Sequence, residues 1–149
     1  MDLKVKLLSE DAVLPTRGTD QSAGLDLYAT EDFTVPATQT IGMAAQIGRY
    51  IVDTKIAVAI PKGMVGTVKP RSGLGIVRGV DAFEGTIDSD YRGPIKVLLY
   101  NTNPFPVDIK KGDRIAQLVV TKVEMLKPVS VASLDTTARG EGGLGHTGR

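Results

Sequence analysis

Short apolar runs with alternating polar neighbours recur along this chain, and turn residues separate them about every ten positions. Leu3, Val5 and Leu7 alternate with polar residues, which predicts a half-buried strand. Lys55–Ile60 and Met64–Lys69 are β-rich runs split by Pro61-Lys62-Gly63, the pattern of a hairpin. Thr86–Ile87 and Ile95–Tyr100 flank a turn at Asp88–Gly93 and predict a second hairpin. Phe105–Ile109 and Ile115–Val120 flank Lys110–Asp113 and predict a third. Many short strands at this spacing point to an all-β sandwich or jelly roll rather than alternating α/β units. A short helix over Gly73–Val80 is the one helical feature that the pattern allows. There is no internal repeat and no interdomain linker. After Ala132 the chain turns polar and glycine-rich, so the expected organisation is a body over residues 1–132 and an arm over 133–149.

Composition removes several chemistries. The 149 residues suit one domain with a real core, and 42% of them are hydrophobic. There is no cysteine, which excludes disulfides, thiolate nucleophiles and Cys-ligated zinc. A single histidine, His146, leaves little for Ser–His–Asp or multi-His metal chemistry. A net charge of +1 gives no pull toward nucleic acid or a membrane surface. No apolar stretch reaches the ~18–20 residues of a transmembrane helix. The N-terminus lacks a signal-peptide core. The expectation is a soluble protein of the cytoplasm, or of the host cytoplasm for a viral chain.

Five polar islands rich in glycine interrupt the strands: AGLDLYA (Ala23–Ala29), PRSGLG (Pro70–Gly75), GTIDSDYRG (Gly85–Gly93), KGDRIAQL (Lys111–Leu118) and RGEGGLGHTG (Arg139–Gly148). Together they suggest a polyanion site built from distant segments. Arg71 offers a planar fork of donors for phosphate, Ser72 a hydroxyl and Gly73 an unobstructed N–H. Alone, this tripeptide fits a solvated surface turn better. Asp88 follows the apolar Ile87, which predicts a partly buried carboxylate suited to orienting a water and taking its proton. An acidic turn fits the same residues. Strand parity puts Arg114 and Gln117 on opposite faces, with Asp113 and Arg114 supporting the fold. Alternation turns Leu25 and Leu27 to the core and Asp26 to the other face. There Asp26 is either an ordinary exposed strand residue or a carboxylate holding water on Mg²⁺. Magnesium uses substrate phosphates as ligands and needs no dense protein cage. The arm reads as a flexible terminus or as a lid whose glycines let backbone N–H groups reach phosphate.

In order and spacing the islands resemble the five motifs of the trimeric dUTP diphosphatase (dUTPase) family, from Ala23 to Gly148. PRSGLG, IDSDYRG and GDRIAQL are close to verbatim family strings. The resemblance implies a β jelly roll, a homotrimer with shared active sites, and hydrolysis of dUTP to dUMP and pyrophosphate with Mg²⁺. That activity limits uracil in DNA and supplies dUMP for thymidylate. It implies that Asp88 is the general base for the water that attacks the α-phosphorus. Tyr91 would pack against the deoxyribose. Main chain around Thr86, Ile87 and Lys96 would read the uracil edge. Ser72 and Gly73 would donate to phosphate oxygens. Arg71, Arg139 and Thr147 would hold the phosphate tail, with Gly145 among the arm glycines that reach it. Gln117 would lie near the α-phosphate, and Asp26 would touch the Mg²⁺ hydration shell.

Two positions depart from the family pattern. Leu144 stands where an aromatic residue usually stacks on uracil, which predicts weaker arm closure and a higher KM. Stacking is worth ~1–3 kcal/mol per base, and leucine recovers part of it. Phe83-Glu84 precedes Gly85 where small residues or Asn are common, so Phe83 either reshapes the slot or packs outward. Two other readings use the same fold: a dCTP deaminase sibling, against which the intact IDSDYRG argues, and a dUTP-gated regulatory protein whose arm orders on binding.

Overall fold

A computed structural model describes residues 2–143. It is a distorted jelly-roll sandwich of antiparallel sheets. In chain order the strands are β1 (Lys4–Leu7), β2 (Gly24–Tyr28), β3 (Phe33–Val35), β4 (Gln39–Ile41), β5 (Ala44–Gln46), β6 (Gly48–Asp53) and β7 (Ile56–Ala59). Then follow β8 (Met64–Lys69), β9 (Val80–Ala82), β10 (Gly85–Ile87), β11 (Lys96–Asn101), β12 (Val107–Ile109) and β13 (Arg114–Lys122). A four-stranded sheet has the order β10-β8-β13-β2, and a three-stranded sheet the order β6-β11-β9. The pairs β1-β7, β12-β3 and β4-β5 complete the described sheets.

Period-two alternation builds the core. On β11, Val97, Leu99 and Asn101 point in, while Lys96, Leu98 and Tyr100 point out. Val68, Leu118 and Leu27 do the same for β8, β13 and β2, and Ile60, Ile95, Ile109 and Ile115 fill the space between. The buried Asn101 is satisfied rather than orphaned. Its amide donates to the carbonyls of Pro36 (3.1 Å) and Phe105 (2.8 Å), and its oxygen accepts from the Asn103 N–H (2.9 Å). A single helical turn, Gly73–Val77, occupies the region where the pattern allowed a helix.

The predicted strands form, but the three predicted hairpins do not. β7 pairs with β1, whereas β8 pairs with β10 and β13. β10 pairs with β8, whereas β11 pairs with β6 and β9. β12 pairs with β3, whereas β13 pairs with β2 and β8. In each case the turn carries the chain from one sheet to another. The β1 strand forms too, but Leu7 is exposed rather than core-facing.

Strand β13 contains a bulge. Arg114 lies opposite Tyr28, Ala116 opposite Leu27 and Gln117 opposite Asp26, so Ile115 is one residue too many. Ile115 and Ala116 are both fully buried in consequence. Beyond β13, every residue from Val123 to Glu141 is exposed. Val123, Met125, Leu126, Val129, Val131 and Leu134 thus lie bare on the isolated chain.

Candidate active site

Most of the predicted residues that the structure describes gather in two clusters. The first sits where β2, β13 and the segment after β8 meet. Asp26 is buried, at 7% exposure, although alternation directs it away from Leu25 and Leu27. What covers it is charge. Arg71 Nη1 donates to Asp26 Oδ1 at 2.6 Å, and Arg114 Nη1 lies 3.5 Å from Oδ2. Asp26 is therefore not an ordinary exposed strand residue. The β13 bulge also overturns the parity expectation for Arg114 and Gln117. The extra residue between them turns both toward the face of Tyr28 and Asp26.

Gln117 Nε2 donates to the Pro70 carbonyl at 2.8 Å and so fixes the start of the Arg71-Ser72-Gly73 segment. Gly24 makes room for it, because a Cβ at Gly24 would sit 2.9 Å from Gln117 Cδ. Asp26, Arg71, Ser72 and Gln117 line a polar cavity with Gly18, Ser22 and Gly24. Gly73 lines an adjoining hollow with Arg71, Arg78 and Arg114. The combination of cationic forks, hydroxyls and open N–H groups suits an anion.

The second cluster is a cavity of about 390 Å³ lined by Thr86, Ile87, Asp88, Tyr91, Pro94 and Lys96. β10 is an edge strand. Its other side is paired, with Thr86 opposite Thr67 and Ile87 opposite Gly66. Among the described residues no strand pairs with its outward side, which suits an edge that a ligand can read. Asp88 caps the end of this strand and is exposed, not partly buried as its position after Ile87 predicts. The turn after it is self-supporting. Tyr91 N–H donates to the Asp88 carbonyl (3.1 Å), and Arg92 Nη1 donates to the carbonyls of Ser89 and Tyr91 (both 2.8 Å). Phe83 is exposed and is not part of this lining, so it packs outward. Glu84 forms an ion pair with Lys69.

The register separates the clusters. β10 runs antiparallel to β8, so Asp88 follows Ile87 past Gly66, at one end of β8. Arg71 and Ser72 follow Lys69 at the other end. About six residues at 3.3 Å each put ~20 Å between them along the strand. Arg139 joins neither cluster and donates to the Gly142 carbonyl at 2.8 Å. Leu144, Gly145 and Thr147 lie outside the described residues. A larger cavity of about 520 Å³, at the base of the β4–β5 hairpin, contains none of the predicted residues.

Sequence reasoning missed Ser22, Gly24, Pro94 and Arg114. Gly24 lay inside the AGLDLYA island and Pro94 one residue beyond GTIDSDYRG, so both were within reach. No signal marked Ser22, and Arg114 was misassigned by the unseen bulge. Among the described residues no group of three or more carboxylate, histidine or cysteine side chains forms a metal cage. The first cluster fits a magnesium ion carried on substrate phosphates, since it offers the Asp26 carboxylate and neutral oxygens to water ligands.

Comparisons with known proteins place the chain in a family. The dUTPase family model matches residues 10–148. The deoxyuridine 5'-triphosphate nucleotidohydrolase of Debaryomyces hansenii is 48% identical over 149 residues, covering 99% of this chain and 88% of the relative. A mutant dUTPase of Staphylococcus bacteriophage 80alpha, solved with dUpNHpp, superposes with a TM-score of 0.88 at 26% identity, covering 99% of each chain. The dUTPase of phage phi11 of S. aureus, in a D-to-N mutant that details the coordination of a structural Mg(II) ion, superposes at 0.79 with 24% identity, covering 89% of this chain and 98% of that one. The chain therefore belongs to the dUTPase family and is a hydrolase of that family.

Proposed function

We propose that this protein hydrolyses dUTP to dUMP and pyrophosphate at sites completed by a second and a third copy of the chain. Asp88 accepts a proton from the water that attacks the α-phosphorus in line, the usual role of a positioned carboxylate. The free edge of β10 at Thr86 and Ile87, with the main chain at Lys96, reads the uracil edge. Tyr91 lies against the deoxyribose, where a 2′-hydroxyl would clash or be buried without a partner at ~1–3 kcal/mol. Ser72 and Gly73 donate to the phosphate oxygens and stabilise the charge that leaves with pyrophosphate. Gln117 orients the α-phosphate, while Arg71 and Arg139 hold the phosphate tail, joined by Gly145 and Thr147 of the arm. Mg²⁺, when bound, neutralises phosphate charge, and Asp26 would hold it through water.

The observation that carries the shared site is the register of β10 on β8. A general base must lie within hydrogen-bond reach of the attacking water, about 3 Å. Asp88 and the Ser72–Gln117 cavity of one chain lie at opposite ends of β8, so each needs the other half from a neighbour. The outer face of the β6-β11-β9 sheet supports assembly. It presents Ile51, Leu98 and Phe83, with Ile76 and Val77 exposed on the helical turn. A closed homotrimer is the family-type solution, and a C-terminal arm from the third copy reaches the nucleotide.

The deciding experiment measures pyrophosphate release from dUTP with Mg²⁺ against dTTP, dCTP and UTP. Rapid release from dUTP alone, lost in Asp88→Asn, is the expected result. Equal release from the Asp88→Asn variant would remove Asp88 as the base. Binding of dUTP without release would turn the reading to a nucleotide-gated regulator.

A further inference from the structure

Tyr91 is held at both ends by its own loop. Its hydroxyl donates to the Pro94 carbonyl at 3.1 Å, and its N–H donates to the Asp88 carbonyl at 3.1 Å. Between these anchors the ring lies across Gly93. A Cβ built on Gly93 would come 2.6 Å from Tyr91 Cζ and 3.0 Å from Cε2. Gly93 is not among the glycines with positive φ, so its φ does not by itself call for glycine. The three atoms nearest to that Cβ all belong to the Tyr91 side chain. Tyr91 is still 43% exposed, so the hydroxyl end of the ring rests against Gly93 while the side chain stays open to the cavity that Tyr91 and Pro94 share.

From this geometry, and resting on the reading of Tyr91 as the residue against the sugar, we propose that Gly93 is a specificity-determining positioning residue. Its missing side chain is the bed that sets the height of the Tyr91 ring, and ring height sets the space left beside the sugar's 2′ carbon. Gly93 touches no substrate. It acts through Tyr91, and the Pro94 carbonyl holds the ring down from the far end. An alanine at 93 lifts the ring by a methyl radius, which moves it into the slot or swings it away from the sugar. Either movement spoils a filter that distinguishes a hydrogen from a hydroxyl.

The test is a double-mutant cycle of Gly93→Ala and Tyr91→Ala, read two ways. Thermal melting reads the packing without reference to activity. Gly93→Ala is expected to lower Tm in the parent and to have no effect in the Tyr91→Ala background. The ratio of kcat/KM for dUTP to that for UTP reads the function. Gly93→Ala is expected to cut that ratio about tenfold or more in the parent, the scale of a lost steric contact. In the Tyr91→Ala background it should leave the ratio unchanged. An unchanged ratio in the Gly93→Ala parent, or an equal fall in both backgrounds, overturns the proposal while the assignment of the enzyme stands. A parent that turns over UTP as fast as dUTP overturns the reading of Tyr91 and this inference with it. A Tm loss that persists without the Tyr91 ring shows that Gly93 is needed for something else.

Discussion

Asp26 and Tyr100 are both polar groups set on strands, and neighbours decide the fate of each. Asp26 is buried because two guanidinium groups come to it, and a buried carboxylate is tolerated only when it is paired. Tyr100 lies half-buried on the outer face of β11, with its hydroxyl 3.4 Å from Asp81 Oδ2. Burial raises its pKa above 10.0 first, and the negative charge and hydrogen bond of Asp81 raise it further. A raised phenol pKa means that the fold favours the neutral form. The associated stability is fully present below 10.0 and is lost as pH rises through the folded value. Asp81→Asn is therefore expected to lower the Tyr100 pKa without returning it to that of a free tyrosine. NMR titration of the four tyrosines checks this, and a full return would make the charge, not burial, the dominant cause. The Asp26 ion pair was not legible in the sequence. Its partner Arg71 stands 45 positions away, and nothing local to AGLDLYA announces a cation.

The β4–β5 hairpin shows how an element can be attached at its base alone. All six strand residues are exposed, and Met43 at the tip is completely so. The anchor is Thr38. Its N–H donates to the Asn103 carbonyl (2.9 Å), and its hydroxyl donates to the Asn101 carbonyl (2.5 Å) and accepts from the Gly48 N–H (3.1 Å). Thr38→Val leaves the buried Gly48 N–H without a partner and is expected to cost about 1–3 kcal/mol. Met43→Lys should change stability by no more than about 0.5 kcal/mol. Denaturant melts of the two variants check the contrast, and equal losses would mean that the tip packs in solution. Sequence reading found most strand positions because alternation is a property of one strand. It failed on all three hairpins because pairing is a property of two. Pro61–Gly63 reads as a hairpin turn and does turn the chain, yet β7 and β8 lie in different sheets. The bulge at Ile115 was hidden for a related reason. Only the partner strand β2 reveals that β13 carries an extra residue, and that residue decides the face on which Arg114 stands.

At the scale of the whole molecule, candidate site residues could be named from five motifs, but which of them one chain brings together could not be read from the motifs themselves. The grouping follows from β10 running antiparallel to β8, which sends Asp88 away from Ser72 and Gln117. If each site takes its base from one chain and its phosphate cavity from another, two differently crippled chains should repair each other. Asp88→Asn keeps an intact phosphate cavity, and Ser72→Ala/Gln117→Ala keeps an intact base. Each homo-oligomer is expected to be nearly inactive. When the two are coexpressed and mix at random in a closed ring, about one site in four draws both intact halves, so activity should recover to about a quarter of the parent's. A site built within one chain predicts the opposite outcome, since every site would then contain one of the lesions and mixing would restore nothing. A charge placed on the exposed apolar face of the three-stranded sheet, as in Ile51→Glu, should abolish the recovery by keeping the chains apart. Sedimentation of that variant as a monomer, together with loss of parental activity, would tie catalysis to assembly. A monomer that retained activity would refute the shared site outright.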